Sequence, residues 1–180
     1  DWGYSEDNTS FDLTLRDGVT FSDGTPVDAE AVKLNLERNF EQTKLGQITS
    51  VDSVEVVSPT QVSLKMGEES AWIAEQLAYN SGFIVSPKAF EASDDVSGDP
   101  VGSGPYRIAS NVPGSQIVFE KNPDYWNDDR GFYDTIELKF FKNPVSMNQA
   151  LQAGSIQVGA RTALTDVDTL QKDDSLEVEV

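Results

Sequence analysis

The sequence predicts a mixed α/β (α+β) fold, with hairpins in the first half of the chain and strand-helix-strand units in the second. Two observations lead to this prediction. Apolar and polar residues alternate with a period of two in several short segments, which is typical of half-buried strands, and other segments carry apolar residues at helical spacing. The chain has 180 residues, 38% of them hydrophobic, so it is long enough to bury a core.

The first half begins with an alternating stretch over residues 11–15, which predicts a strand. Asp-Gly pairs at 17–18 and 23–24 are turn sequences, and the alternating residues 19–21 lie between them, so both turns are expected to close one β ribbon. Asp28 follows as the predicted N-cap of a helix. The apolar residues of that helix fall at four-residue steps on one face: Val32, Leu36 and Phe40.

Residues 54–66 predict a second hairpin, since two alternating arms flank a turn that contains proline. Ser70 is the predicted N-cap of a short helix over residues 72–79. The segment "EASDDVSGDPVGSGPYRI" (91–108) then changes character, because Gly, Pro, Ser and Asp dominate it. This composition predicts a loop, and we place a boundary between two domains within residues 80–105.

Alternation returns in "QIVFEKN" (116–122) and "DTIELKFF" (134–141), which predict two more strands. Ser146 is the expected N-cap of the helix that follows, and Gly154 is its expected end. A short strand, "SIQV", is expected directly afterwards at 155–158. These elements are the strand-helix-strand units of the second half.

Thr165 and Asp168 form an acidic variant of the capping box and predict a last helix that runs through Leu170. The final residues, "LEVEV", break off inside a strand-like alternation, and the chain begins at Asp1 without an initiator Met or a signal peptide. The sequence is therefore interpreted as a fragment of a longer protein.

Composition narrows the possible classes of function. Thirty-one acidic residues against thirteen basic ones give a formal net charge of −18, and no dense basic patch is present to neutralise nucleic acid or an anionic membrane. The chain contains neither His nor Cys, which excludes Ser-His triads and thiolate chemistry within it. No catalytic residue, metal ligand or cofactor is predicted, and the acidic surface is interpreted as solvated.

Several motifs allow other interpretations. Asp-rich loops such as "SDDVSGD" and "WNDDRG" could bind calcium, yet none has the alternating spacing of a calcium loop, so turn chemistry is favoured. Acidic residues near aromatic ones leave an acidic carbohydrate-binding or glycoside-hydrolase module as the alternative function. The aromatic segments "PDYW" and "GFY" could stack on a sugar or a peptide, but packing of their loops against the core is favoured.

Four blocks resemble, in order and spacing, the family 5 extracellular solute-binding proteins, which are the dipeptide-, oligopeptide- and nickel-binding components of ABC importers. The blocks are "FDLTLRDGVTFSDGTPVDAEAVKLNLER" (11–38), "VGSGPYRI" (101–108), "EKNPDYW" (120–126) and "IELKFFKNPVSMNQALQAGSIQV" (136–158). The chain departs from the family pattern at three positions, which are interpreted as tolerated changes in the scaffold. Ser22 stands where the family usually has His, Ser103 where it has Thr, and Gln157 where it has Asp.

The resemblance implies part of a type II periplasmic-binding-protein fold, in which two lobes close on a ligand and the larger lobe carries an extra subdomain. Residues 1–100 are expected to form that hairpin-rich subdomain, and residues 101–180 part of the first α/β lobe. The second ligand-binding lobe is expected to be absent from this chain. In the family, the charged residues that pair with peptide termini come mostly from that absent lobe, so none is assigned here.

The resemblance also implies an extracytoplasmic protein, either periplasmic or a cell-surface lipoprotein. Such a protein captures a peptide or another small solute and delivers it to the membrane permease of an ABC importer without catalysis. Because closure of two lobes on the solute needs contacts from both, the chain alone is expected to bind solute weakly or not at all.

The segment "YNSGFIVSP" (79–87) resembles the stretch that approaches the ligand cleft in the family. The loop "VGSGPY" lacks the ending of a phosphate-binding loop and is interpreted as a crossing between the lobes. The residues expected to line the cleft are Asn80, Phe83, Gly102, Ser103 and Gly104.

Overall fold

The computed structural model describes residues 1–42, 51–67, 72–93 and 95–179, without the side chains of Gln42, Asn80 and Ala92. The chain divides into two compact units. The first unit comprises residues 1–111 and 118–136, and the second unit comprises residues 112–117 and 137–180.

Helices and strands are interspersed along the chain, which confirms the predicted α+β class. The strands are β1 (Trp2–Tyr4), β2 (Ser10–Thr14), β3 (Val51–Ser58), β4 (Gln61–Met66), β5 (Tyr106–Val112), β6 (Gln116–Lys121) and β7 (Thr135–Lys139). The helices are α1 (Ala29–Gln42), α2 (Ile73–Leu77), a 3-10 turn (Asn80–Gly82), α3 (Pro87–Ala92), α4 (Pro144–Gln152) and α5 (Leu164–Leu170). None of these described helices combines the length and the apolar character that crossing a membrane requires.

A four-stranded antiparallel sheet in the order β1-β2-β4-β3 organises the first unit. The predicted strand at 11–15 is confirmed as β2, in which Phe11 lies opposite Leu64 and Leu13 opposite Val62. The predicted second hairpin is confirmed as β3 and β4. Alternate side chains of these strands face the core, which is why the period of two was visible in the sequence.

Helix α1 packs its apolar face on this sheet. The carboxylate of Asp28 accepts a hydrogen bond from the backbone N–H of Ala31 at 2.9 Å, which confirms the predicted N-cap. Val32 and Leu36 are buried, and Phe40 packs against the same cluster. Burying each such side chain contributes roughly 1.5–3 kcal/mol, so this face accounts for much of the attachment of α1.

The prediction of one β ribbon closed by the two Asp-Gly turns is wrong for the first turn, whereas the second turn joins two short segments that pair antiparallel through Phe21, Thr25 and Val27. Residues 19–21 form no strand, because β2 already has β1 on one side and β4 on the other. A single bridge between Thr20 and Pro26 remains, and it closes a short loop over the turn at 23–24. Gly24 takes a φ of +80° in that turn, a conformation that favours glycine.

The segment after the first sheet contains one helix that is shorter than predicted and one that was not predicted. Helix α2 covers only part of the expected 72–79 span, and its predicted cap, Ser70, lies outside the described residues. Helix α3 was not predicted. Its N-cap is Ser86, whose hydroxyl accepts the N–H of Lys88 at 3.3 Å, and proline occupies its first position.

The second half contains a three-stranded sheet in the order β5-β6-β7. The predicted strands at 116–122 and 134–141 are confirmed as β6 and β7, whereas β5 was not predicted. Helix α4 ends at Gln152, and Gly154, which follows its C-cap Ala153 with a φ of +68°, closes it as predicted. Its N-cap is Asn143 and not Ser146, because the side-chain oxygen of Asn143 accepts the Ser146 N–H at 2.9 Å.

The last helix is confirmed as α5, but its predicted capping box is wrong. The N-cap position is Ala163, and Thr165 lies inside the helix, where its hydroxyl donates to the carboxylate of Asp166. The strands expected at 155–158 and in "LEVEV" are absent from the described residues. A strand needs a neighbouring strand for its backbone hydrogen bonds. The described sheet of this region consists of β5, β6 and β7, and neither of these two segments pairs with it.

The two compact units divide inside the chain segments of β5, β6 and β7, near residues 111, 118 and 136. Residues 80–105, where a domain boundary is predicted, belong to the first unit. The N–H groups of Ser86 and Asn122 bond the carbonyls of Val101 and Pro105 and tie the end of the loop to this unit. The assignment of 1–100 to an extra subdomain and of 101–180 to part of a lobe stays a prediction.

Candidate functional site

The predicted site residues lie in two segments of the first unit, 80–86 and 101–105. The backbone N–H of Ser86 donates to the carbonyl oxygen of Val101 at 2.8 Å, so the two segments meet directly. Asn80 begins the 3-10 turn, and its side chain lies outside the described part of the chain. The structure therefore brings together the two loops that the sequence analysis selected separately.

Hydrogen bonds anchor the backbone of Phe83, while its ring is exposed. The side-chain amide of Asn39 on α1 donates to the carbonyl oxygens of Ser81 at 3.2 Å and of Phe83 at 2.9 Å. The Phe83 side chain is 62% exposed. An aromatic ring displayed on an anchored backbone can contact a ligand with little loss of backbone entropy.

Asn35 holds the next residues of the same segment. Its side-chain amide donates to the carbonyl oxygens of Ala31 and Val85, both at 2.8 Å, and its oxygen accepts the Val85 N–H at 3.0 Å. Asn35 is buried, with 1% of its surface exposed. The sequence analysis missed this role, although an Asn within the apolar face of a helix signals a buried polar contact.

The second Asp-Gly turn also supports the site. The Ser86 hydroxyl donates to the carboxylate of Asp23 at 2.6 Å, and the Ser22 N–H donates to the Gly102 carbonyl at 2.9 Å. Burial acts to raise the pKa of Asp23, but the hydrogen bonds from Ser86 and from the Thr25 N–H outweigh it and hold that pKa below its usual value. Since Ser22 contributes its backbone here, the contact does not need the His that is usual in the family.

The loop at 101–105 directs its carbonyl groups toward the scaffold. Asn122, which is buried, donates its side-chain amide to the Gly104 carbonyl at 3.0 Å and its backbone N–H to the Pro105 carbonyl at 2.9 Å. The N–H groups of Gly102, Ser103 and Gly104 donate to none of the residues that the structure describes. Three successive donors that are unpaired among the described residues suit a carbonyl or carboxylate oxygen of a ligand.

The first unit contains an open apolar groove of about 280 Å³. Its lining includes Gly82 and Ile84, the chain neighbours of Phe83, but not Phe83 itself. The other lining residues are Asp1, Trp2, Leu13, Thr14, Leu15, Val32, Leu36 and Leu77. The lining includes none of residues 102–104, so the groove and the backbone donors of that loop are separate features of the first unit.

The Asp-rich loops form turns, as predicted. In three of them an aspartate accepts from a residue two positions on, as Asp95 does from the Ser97 N–H at 2.9 Å. The pKa values of three of these aspartates are lowered, mainly by hydrogen bonds from neighbouring serine side chains: Asp7, Asp95 and Asp173. A general acid of a glycosidase needs a raised carboxyl pKa. Within the described ranges, no cluster of three acidic residues is arranged to hold a metal ion.

The two aromatic segments behave differently. In "PDYW", the guanidinium of Arg16 lies over the Trp126 ring, 4.0 Å from its centroid, so this loop is held against the first unit as predicted. In "GFY", Phe132 is 83% exposed and Tyr133 is 67% exposed, so the predicted packing of these rings is wrong. The Tyr133 N–H instead donates to the Tyr106 hydroxyl, which fixes only the backbone.

Comparison with solved structures defines the class of fold. The chain superposes on the binding protein AgaA from A. tumefaciens R10, solved with agropinic acid, with a TM-score of 0.88 at 24% identity, covering 97% of this chain and 36% of that one. The periplasmic binding protein DppA from Helicobacter pylori was solved with the peptide STSA. It superposes with a TM-score of 0.84 at 20% identity, covering 97% of this chain and 39% of DppA. The fold is therefore part of the type II periplasmic-binding-protein fold.

The family follows from the sequence itself. The sequence profile of the bacterial extracellular solute-binding proteins, family 5 Middle, matches residues 1–180. The chain belongs to this family, which confirms the resemblance. A curated relative is the probable D,D-dipeptide-binding periplasmic protein DdpA of Escherichia coli K12, which is 28% identical over 188 residues, or 98% of this chain. The chain spans just over a third, 36%, of that relative's length.

Proposed function

We propose that the chain is part of an extracytoplasmic solute-binding protein that captures a peptide or another small organic solute for an ABC importer. The observation that supports this most strongly is the family match over all 180 residues. The relatives named above bind a D,D-dipeptide, a peptide and agropinic acid by their own descriptions, so solutes of that size are the first candidates. The role is binding and delivery, without a chemical step.

The residues that contact the solute in this proposal are those of the two joined loops. Phe83 provides apolar surface, and the N–H groups of Gly102, Ser103 and Gly104 provide donors for an oxygen of the solute. Asn80 completes the set as predicted from the family resemblance. The full-length protein closes two lobes around the solute, and the closed form is recognised by the permease subunits in the membrane. Its location is the periplasm or, with a lipid anchor, the cell surface.

Isothermal titration of the full-length protein tests the proposal. The panel comprises D-alanyl-D-alanine, the tetrapeptide STSA, agropinic acid, a nickel–histidine complex and a set of oligosaccharides. Saturable binding of a peptide or a small organic acid is expected. Binding of oligosaccharides alone, together with hydrolysis of chromogenic glycosides, would instead establish the carbohydrate-active alternative, and binding of nothing in the panel would refute the proposal.

A matched pair of variants locates the site. Phe83→Ala removes a ring that is 62% exposed on the candidate site, and Phe132→Ala removes a ring that is 83% exposed outside it. The first variant is expected to weaken solute binding by about 1–2 kcal/mol, because contact with an aromatic ring is lost, and the second to leave it unchanged. Equal effects of both variants would remove Phe83 from the site.

A further inference from the structure

The sequence contains two Asp-Gly pairs, at 17–18 and 23–24, and both belong to the first unit. Their backbones are similar, since Gly18 has a φ of +72° and Gly24 a φ of +80°. A Cβ at either glycine would meet no atom within 4 Å, so neither turn is crowded. The two pairs therefore allow a comparison in which the dipeptide and its backbone are nearly the same and only the hydrogen bonds differ.

Asp-Gly is the dipeptide in which aspartate isomerises most readily, because glycine has no side chain to hinder its own backbone nitrogen. In this reaction the glycine nitrogen attacks the side-chain carboxyl carbon of aspartate and a C–N bond forms. The proton of the nitrogen and the hydroxyl of the protonated carboxyl leave as water, which gives a five-membered succinimide ring. Water then adds to either ring carbonyl and yields aspartate or isoaspartate. No co-reactant is consumed, and the mass of the chain does not change.

Hydrogen bonds oppose this reaction at the second pair. The carboxylate of Asp23 accepts the Ser86 hydroxyl at 2.6 Å and the Thr25 N–H at 2.9 Å. The Gly24 N–H, whose nitrogen would have to attack, donates to the Phe21 carbonyl at 2.9 Å. Burial acts to raise the pKa of Asp23, but its hydrogen bonds outweigh burial and lower this pKa. The carboxyl therefore stays ionised, and a carboxylate is a poorer electrophile than a carboxylic acid.

The first pair has none of these constraints. The side chain of Asp17 is exposed and makes no hydrogen bond or ion pair with the residues that the structure describes. The Gly18 N–H likewise donates to none of them. Neither reacting group has to leave a partner, so the Gly18 nitrogen and the Asp17 carboxyl carbon can approach each other by local rotation.

We propose that Asp17 is a site of spontaneous isomerisation to isoaspartate, whereas the fold protects Asp23 in the same dipeptide. The product carries one more methylene in its main chain and keeps a carboxylate as its side chain. The preceding residue is Arg16, whose guanidinium lies 4.0 Å from the centroid of the Trp126 ring. The modification therefore changes the backbone directly beside the contact that holds the loop "PDYW" in the first unit.

Incubation of the full-length protein for several weeks at neutral pH, without solute, tests the proposal. Digestion with Glu-C protease, which cleaves after glutamate, releases residues 7–30 as one peptide that contains both pairs. Electron-transfer fragmentation in a mass spectrometer distinguishes isoaspartate from aspartate at each position of this peptide. Isoaspartate is expected to accumulate about 10-fold faster at Asp17 than at Asp23, because hydrogen bonds to a charged group must break before Asp23 reacts.

Two controls show whether the fold causes the difference. In urea the hydrogen bonds of Asp23 are lost, so both positions should react at similar rates. In the folded Asp17→Glu variant the product at position 17 should be absent, because glutamate forms the corresponding six-membered ring far more slowly, and the slow reaction at Asp23 should be unchanged.

Equal rates at the two positions of the folded protein, or no isoaspartate at Asp17, would refute the inference. An equally large preference for Asp17 in urea would also refute it, since the neighbouring sequence and not the fold would then be the cause. The proposed function does not enter this test, because no solute takes part. Failure to bind any solute of the panel would likewise leave the inference about Asp17 intact.

Discussion

Asn35 and Asn39 lie one turn apart on α1 and hold the segment that carries Phe83. The apolar pattern of α1 predicts how the helix packs on the sheet, but it assigns these two polar residues no role. Their partners are backbone groups about 40 to 50 positions further along the chain, so only the folded structure shows the contact. A buried side chain that bonds both backbone groups of one residue defines a loop conformation more strictly than apolar packing does.

Replacement of Asn35 by Ala should lower the free energy of unfolding by about 2–4 kcal/mol, because it leaves the N–H and carbonyl of Val85 without their partner. Urea unfolding followed by circular dichroism measures the change. Asn111→Ala is the control, since Asn111 makes one exposed bond to the Gly98 carbonyl, and it should cost less than about 1 kcal/mol. Equal losses in both variants would show that Asn35 does not anchor the segment.

Asp23 makes part of the stability depend on pH. The pKa of Asp23 is lower in the folded state than in the unfolded chain, where it is about 4. The hydrogen bonds to its carboxylate therefore stabilise the fold above about pH 4, and this stabilisation is lost as the pH falls through the pKa of the folded state. Wild type and Asp23→Asn should therefore differ in urea midpoint between pH 5 and 7, and this difference should shrink toward pH 3. A difference that stays constant from pH 7 to pH 3 would contradict the assignment.

At the scale of elements, prediction succeeded where the determinants are local. Helix α1 has a cap and an apolar face within its own sequence, and β2, β3 and β4 show alternation because each presents one side to the core. Prediction failed where a distant partner decides. Residues 19–21 alternate as β2 does, but β2 has no free edge for them. Helix α3 is a different case, because its start at Ser86 and Pro87 is a local signal that the sequence analysis overlooked.

The junction between α2 and the 3-10 turn depends on Gly82. A Cβ at this position would overlap the backbone oxygen of Leu77, which cannot move aside without disturbing α2. Gly82→Ala should therefore lower the free energy of unfolding by about 1–3 kcal/mol. Gly98→Ala is the matched control, because a Cβ there meets no atom within 4 Å. Thermal unfolding of the two variants compares them, and equal melting temperatures would show that the junction relaxes freely.

At the scale of the whole molecule, the family resemblance predicted more than the residue patterns did. It selected Phe83 and the loop at 102–104, and the structure joins their segments through Ser86 and Val101. It did not predict the hydrogen bonds by which Asn148 of α4 joins Thr162 and Asp166. These partners lie 14 and 18 positions further along the chain, so only the folded structure shows the contact.

Small-angle X-ray scattering of the full-length protein tests the central claim, which is that this chain is part of a two-lobed protein that closes on its solute. The radius of gyration should fall when the solute identified by titration is added to saturation, since closure brings the lobes together. Phe83→Ala should show the same fall only at higher concentrations of the solute. Saturable binding with an unchanged radius of gyration would contradict capture by closure.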